Sequence, residues 1–111
     1  DVLAIPGAYT PTEILSALEA GADLVKVFPA VALGPAYVRN VLGPLPHLRL
    51  LPTGGVTTEN AAEFLDAGAV AVGVGGALLD GEALARGDYP RVTEAARRLT
   101  SAISAACGRS R

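Results

Sequence analysis

Slid against itself by 47 positions, the chain matches without a gap. Gly7-Ala8-Tyr9-Thr10 falls on Gly54-Gly55-Val56-Thr57, and Leu18-Glu19-Ala20-Gly21-Ala22 falls on Leu65-Asp66-Ala67-Gly68-Ala69. Val25-Lys26-Val27 then falls on Val72-Gly73-Val74. One supersecondary unit, strand-loop-helix-strand, therefore occurs twice, which narrows the chain to folds built by repetition. Two similar units converging on glycine stops and capping threonines would give the same match. Either way the strand ends become comparable, and Lys26 over Gly73 is where the copies part chemically.

Each unit can be read residue by residue. Residues 2–5 (Val, Leu, Ala, Ile) predict a short buried strand stopped by Pro6-Gly7. Thr10 as N-cap, Pro11 in the first turn and Glu13 closing a capping box predict a helix start. Ile14, Leu15 and Leu18 give that helix its apolar stripe, and Gly21 its stop. A second strand is expected over 23–28, and a helix over 36–42 with Tyr37, Val38 and Val41 on one side. A third strand is expected over 48–51, ended by Pro52. Thr57 or Thr58 caps the next helix, with Ala61, Ala62, Phe64 and Leu65 inward and Gly68 as its stop. A fourth strand is expected over 70–74, then a helical turn at Leu78-Leu79. A last helix from Asp88 carries Val92, Ala95, Ala96, Leu99 and Ile103 at helical spacing and frays into Cys107-Gly108.

Strands and helices alternating in this way predict right-handed βαβ units on a parallel sheet. Four such units are half of a (β/α)8 TIM barrel, which takes about 250 residues. The chain has 111 residues and reads as a single domain, 1–111, whose sheet needs another half. It opens at Asp1 and enters an apolar run at once, so we expect the C-terminal half of a longer polypeptide.

Half the residues are hydrophobic and the net charge is −2, so the composition is that of a soluble globular protein. No basic face points to nucleic acid. The arginines at 109–111 read as a solvated tail. One cysteine, Cys107, permits no internal disulfide and fits a reducing compartment; it lacks a histidine neighbour and reads as inert. His47 sits in a turn-rich edge and reads as a surface or capping residue. No apolar run reaches membrane-spanning length and no signal peptide is visible, so no membrane partner and a cytoplasmic location are expected.

The chemistry concentrates at the expected strand ends. In parallel barrels the last two strand-to-helix loops often bind phosphate. Here those loops are Thr53-Gly54-Gly55 and the run from Gly73 to Ala77, which holds Gly75 and Gly76. Glycine lets backbone N–H groups approach phosphate oxygens closely; the plainer reading is a pair of tight turns. Lys26 interrupts an apolar β-branched run. A buried ion pair or an exposed strand-end charge would account for it. The functional alternative is an amine nucleophile, since a barrel interior disfavours an ammonium ion and leaves free amine to attack a carbonyl.

Val25-Lys26-Val27-Phe28-Pro29-Ala30, Pro52-Thr53-Gly54-Gly55-Val56 and Gly75-Gly76, in this order and spacing, closely resemble the C-terminal half of the KDPG/KHG aldolases. Ile5-Pro6-Gly7 with Thr10-Pro11-Thr12-Glu13 is similar to that family's fifth strand and following helix. The resemblance covers all but the last few residues. It implies a class I aldolase in which Lys26 forms a Schiff base with the C2 ketone of a phosphorylated keto acid. Thr53 would lie beside the bound keto acid, with Gly54, Gly55, Gly75 and Gly76 around its phosphate and Phe28 and Pro6 walling the pocket. The implied reaction cleaves 2-keto-3-deoxy-6-phosphogluconate to pyruvate and glyceraldehyde 3-phosphate, as in Entner–Doudoroff sugar breakdown. With 4-hydroxy-2-oxoglutarate it would give pyruvate and glyoxylate. It needs no metal and no cofactor, and the family assembles as homotrimers.

Two departures qualify the resemblance. Ala77 stands where members often carry a phosphate-contacting serine. The family's general-base Glu and carboxylate-binding Arg come from the N-terminal half of the barrel, and no residue of this chain takes those roles. Glu13, Glu19, Glu59 and Glu63 all fall on expected helices, away from the strand ends. Two competing readings are a different phosphate-binding barrel, such as a sugar-phosphate epimerase or synthase, and a non-catalytic half-barrel.

Overall fold

The computed structural model describes residues 1–109, the last by its backbone alone. The expected tail at 109–111 therefore lies outside the described side chains. Strands β1 (Gly7–Ala8), β2 (Val25–Val27) and β3 (Leu50–Pro52) form a parallel sheet in the order β1-β2-β3. Between and after them run α1 (Pro11–Glu19), α2 (Gly34–Leu42), α3 (Ala61–Asp66), α4 (Gly81–Ala85) and α5 (Tyr89–Arg109). This is a partial barrel.

The capping logic of α1 holds as read. Thr10 Oγ1 accepts the Glu13 N–H at 3.3 Å and the Glu13 carboxylate accepts the Thr10 N–H at 2.7 Å. Asp88 caps α5 by accepting the Arg91 N–H at 3.3 Å. The helical turn at Leu78-Leu79 is present, both N–H groups reaching the Gly75 carbonyl at 2.9 Å. Helix α4 was not expected; Asp80 starts it by accepting the Glu82 and Ala83 N–H groups. Thr57 does not cap α3 directly. Its hydroxyl accepts the Glu59 N–H at 3.3 Å and so caps the turn that leads into α3.

Two strands need correction. Residues 2–5 are neither buried nor strand: Val2, Leu3 and Ile5 are exposed. Carbonyls of Ala4, Pro6 and Ala8 do accept N–H groups from Asp23, Lys26 and Phe28. The other edge of the segment has no neighbour among the described residues, and Pro6 has no N–H to give. The fourth strand, expected over 70–74, is reduced to a single parallel bridge between Thr53 and Gly73. Val70 and Gly73 each donate one bond, to Leu50 and Pro52.

The repeat is visible in the hydrogen bonds. After α1, Gly21 N–H reaches Leu18 and Ala22 N–H reaches Ala17; after α3, Gly68 reaches Leu65 and Ala69 reaches Phe64. Both helices thus end in the same paired-bond Schellman stop, 47 positions apart. The strands are one position out of step with this. Lys26 N–H donates to Pro6 and Gly73 N–H to Pro52, so Pro6 matches Pro52 and Gly7 matches Thr53. The gapless sequence match therefore misplaces the first strand of each unit by one residue.

Side chains alternate across the sheet. Val25, Val27, Leu50 and Pro52 point to the helices and are buried with Ile14, Val38 and Phe64. Lys26 and Leu51, paired in register, share the opposite face. Leu99 and Ile103 of α5 pack on the core from outside.

Candidate active site

Lys26 is half-buried between two buried valines, and its Nζ lies 4.7 Å from the centre of the Phe28 ring. It lines an open cleft of about 370 Å³ with Ile5, Gly7, Ala8, Tyr9, Glu13 and Phe28. The opposing residue in register is Gly7, whose missing side chain leaves the space over the lysine unfilled. Phe28 attracts an ammonium group through its ring face and offers an amine an apolar wall.

A second cleft of about 420 Å³ lies on the other side of Phe28, lined by Thr53, Gly54, Gly55, Gly75 and Gly76 among others. The structure thus gathers the candidate phosphate loops in one concavity and sets Lys26 in the next, with Phe28 common to both. Pro6 lines neither cleft. Its carbonyl accepts the Lys26 N–H at 2.9 Å, so it holds the strand beneath the lysine and does not wall the pocket.

Close packing explains Gly54, Gly55 and Gly73, whereas a Cβ on Gly75 or Gly76 would meet nothing within 4 Å. A Cβ on Gly54 would stand 2.9 Å from the Phe28 ring, and one on Gly55 would overlap Val31. A Cβ on Gly73 would run into Thr53 Oγ1. Thr53 keeps its hydroxyl at the cleft because its bridge partner has no side chain.

The helix-borne residues behave differently from expectation. Glu13 was placed away from the strand ends, yet it lines the Lys26 cleft, because the capping box folds it back over the β1–α1 turn. One carboxylate oxygen accepts the Tyr9 N–H at 3.1 Å, the Thr10 N–H at 2.7 Å and the Thr10 hydroxyl at 2.8 Å. The Thr10 N–H, then its hydroxyl, then the Tyr9 N–H hold this carboxyl below its ordinary pKa. It is a fixed anion, poorly suited to accept a proton.

Two further residues were missed. Asn60, which matches Glu13 in the repeat, accepts the Thr57 N–H at 2.8 Å and donates to the Gly55 carbonyl at 3.0 Å, clamping the glycine loop. The Tyr37 hydroxyl donates to the Tyr9 carbonyl at 2.6 Å, bracing the turn that lines the Lys26 cleft. Desolvation, then the proximity of Tyr9 and Glu13, raises the Tyr37 pKa. The repeat itself was the available signal for Asn60. His47 and Cys107 are exposed and apart from both clefts. Among the described residues no group of His, Cys, Asp and Glu is arranged to hold a metal ion.

Comparison with known proteins shows the family. The family model for KDPG and KHG aldolase matches residues 1–95. The 2-dehydro-3-deoxy-6-phosphogalactonate aldolase of Escherichia coli (strain K12) is 45% identical over 74 residues, 66% of this chain and 36% of the relative. The 2-dehydro-3-deoxy-phosphogluconate aldolase of Treponema pallidum is 38% identical over 90 residues, 80% of this chain and 43% of its own. A solved structure described as native KDPGal superposes with a TM-score of 0.86 at 35% identity, covering 96% of this chain and 50% of that one. A thiamine phosphate pyrophosphorylase from Pyrococcus furiosus shares the fold alone, at 23% identity and a TM-score of 0.74 over 95% of this chain and 50% of its own. The chain spans about half the length of the curated relatives it matches. With its family model matched over 1–95 and its strand-end lysine and glycine loops gathered around Phe28, the chain belongs to the KDPG and KHG aldolase family.

Proposed function

We propose that this chain, as one unit over residues 1–111, carries the imine-forming and phosphate-binding part of a class I aldolase. Its substrate is 2-keto-3-deoxy-6-phosphogluconate, with 4-hydroxy-2-oxoglutarate as a second one. The Lys26 amine adds to the C2 ketone and expels water, leaving a protonated imine. The C3–C4 bond then breaks with its electrons drawn toward that nitrogen, while the C4 hydroxyl gives up its proton and leaves as the aldehyde of glyceraldehyde 3-phosphate. Protonation of the enamine at C3 and hydrolysis release pyruvate and restore the amine.

The observation that carries this reading is the pair of clefts joined at Phe28. A substrate bound through C2 at Lys26 can extend past the ring and present its phosphate to Thr53 and the loops of Gly54, Gly55, Gly75 and Gly76. Backbone N–H groups and hydroxyls supply neutral donors there. Among the described residues no helix is long and apolar enough to cross a membrane, which is compatible with a cytoplasmic enzyme. Homotrimer assembly of the full-length protein is part of the proposal. In its support, a chain of a designed cage built by fusing symmetric oligomeric domains is 35% identical, with a TM-score of 0.84.

Borohydride reduction of the full-length protein with pyruvate tests the reading. A stable adduct is expected on Lys26 and on no other lysine. No adduct, or one that persists in Lys26→Ala, would falsify it and favour a phosphate-binding barrel that works without an imine.

A further inference from the structure

The two copies of the strand-to-helix turn close differently, and the difference decides which N–H groups the second cleft keeps for a ligand. Counted back from the helices, Tyr9-Thr10 corresponds to Val56-Thr57 and Glu13 to Asn60. In the first copy one Glu13 oxygen accepts both the Tyr9 N–H, at 3.1 Å, and the Thr10 N–H, at 2.7 Å. In the second copy the shorter Asn60 accepts only the Thr57 N–H, at 2.8 Å. Val56 N–H, the counterpart of the one that Glu13 takes at Tyr9, has no acceptor among the described residues.

The rest of the Asn60 amide is spent on the loop. Its Nδ2 donates to the Gly55 carbonyl at 3.0 Å. The two preceding carbonyls are tied as well: Thr53 accepts the Ala30 N–H at 2.8 Å and Gly54 accepts the Val31 N–H at 3.0 Å. These peptides are trans, and a trans peptide sets its C=O and N–H on opposite sides. Fixing each carbonyl therefore turns the N–H of the same peptide, on Gly54, Gly55 and Val56 in turn, away from its tie. None of these N–H groups has an acceptor among the described residues, and all three residues line the second cleft. Two of the ties are backbone bonds; the third hangs on the Asn60 side chain. Asn60 stands at the N-cap of α3, where an asparagine commonly caps its own helix, yet its side chain makes no such bond.

We propose that Asn60 is a positioning residue for phosphate: its amide aims the Val56 N–H into the second cleft and, unlike the carboxylate of the first copy, leaves that N–H unclaimed. Phosphate oxygens then supply the acceptors that the loop lacks. Taking the substrate's distal group to be phosphate rests on the proposed function. Asn60 lines neither cleft and acts through Gly55 and Val56. Being neutral, it also keeps a negative charge out of the loop, where a glutamate like Glu13 would both occupy the N–H and repel an anion. Exchange of one clasp residue between the copies thus separates a turn closed on its own carboxylate from a turn left open to a ligand.

The test follows the backbone amide NMR signals of Gly54, Gly55 and Val56 in the full-length protein as inorganic phosphate is added. All three should move in the unsubstituted protein. Asn60→Leu removes the tie and adds no charge, so the Val56 response should be lost. The Kd for phosphate and the KM for the phosphorylated keto acid should each rise about tenfold, as for one lost hydrogen bond to a charged group, with a smaller change in kcat. In Asn60→Glu the carboxylate should close on Val56 and Thr57 as Glu13 does on Tyr9 and Thr10. Phosphate binding is then lost while the melting temperature holds, a split that a merely structural role would not give. Amides that stay still in the unsubstituted protein overturn the proposal. So does a folded Asn60→Leu variant that binds phosphate as before, or a loss in Asn60→Glu that tracks a fall in melting temperature. Labelling of Lys26 by pyruvate and borohydride is read in parallel. Labelling without the amide shifts overturns the role of Asn60 alone, whereas shifts without labelling uphold it and overturn the imine.

Discussion

Lys26 faces Gly7 across one strand pair, and Thr53 faces Gly73 across the equivalent pair. Large and small have exchanged sides. Where the threonine reaches inward its partner must be empty, because a Cβ on Gly73 would overlap Thr53 Oγ1, whereas a Cβ on Gly7 would meet nothing within 4 Å. This makes Gly73→Ala informative. Its Cβ would occupy the place of Thr53 Oγ1, and overpacking of this kind costs about 1–3 kcal/mol. Thermal melts should show that loss. In the full-length protein KM for the phosphorylated substrate should rise while the borohydride adduct on Lys26 still forms. Unchanged melting and KM would mean that Thr53 is free to move and does not shape the second cleft. Lys26 and the glycine loops were legible in the sequence because charge in an apolar run and paired glycines are local signals. Glu13 and Asn60 were not, because their place beside the clefts depends on a side chain folding back over a turn.

Helix starts carry the acid sensitivity of the elements. Glu13 and Asp80 are each held below their ordinary pKa, Glu13 chiefly by the Thr10 N–H and Asp80 chiefly by the Ala83 N–H. Glu59 is lowered likewise by the Thr57 hydroxyl. A carboxyl with a lower pKa in the folded state contributes stability above its unfolded value. That contribution is lost as pH falls through the folded one. The melting temperature should therefore decline on acidification from about pH 5, through the ordinary carboxylate range and below it. Glu13→Gln should flatten the decline, and an identical pH slope in that variant would remove Glu13 from the account. Capping signals told where α1 and α5 begin because a cap is a short-range arrangement. The first and fourth strands were overcalled because a strand needs a neighbour. Residues 2–5 have one only on the β2 side, and 70–74 only on the β3 side.

At the scale of the molecule, the question is whether these residues suffice for turnover. In the proposed reaction imine formation needs Lys26 and an open approach to it, and Lys26 lines an open cleft. Carbon–carbon cleavage also needs a group to take the C4 hydroxyl proton and return one to C3. Glu13 is the carboxylate lining the Lys26 cleft, and three donors on one of its oxygens stabilise it as an anion. Such a carboxylate is a weak base, far from the matched pKa that general acid–base catalysis favours. The loss of a positioned base typically costs about 10²–10⁴ in rate. The 111-residue chain, given pyruvate and borohydride, should therefore be labelled at Lys26 yet release pyruvate from the phosphorylated keto acid slower by about that factor than the full-length protein. A coupled pyruvate assay beside mass spectrometry of the adduct reads both. Turnover at the full-length rate that disappears in Glu13→Gln would show that the capping carboxylate doubles as the base, and that the half-barrel holds a complete catalytic set.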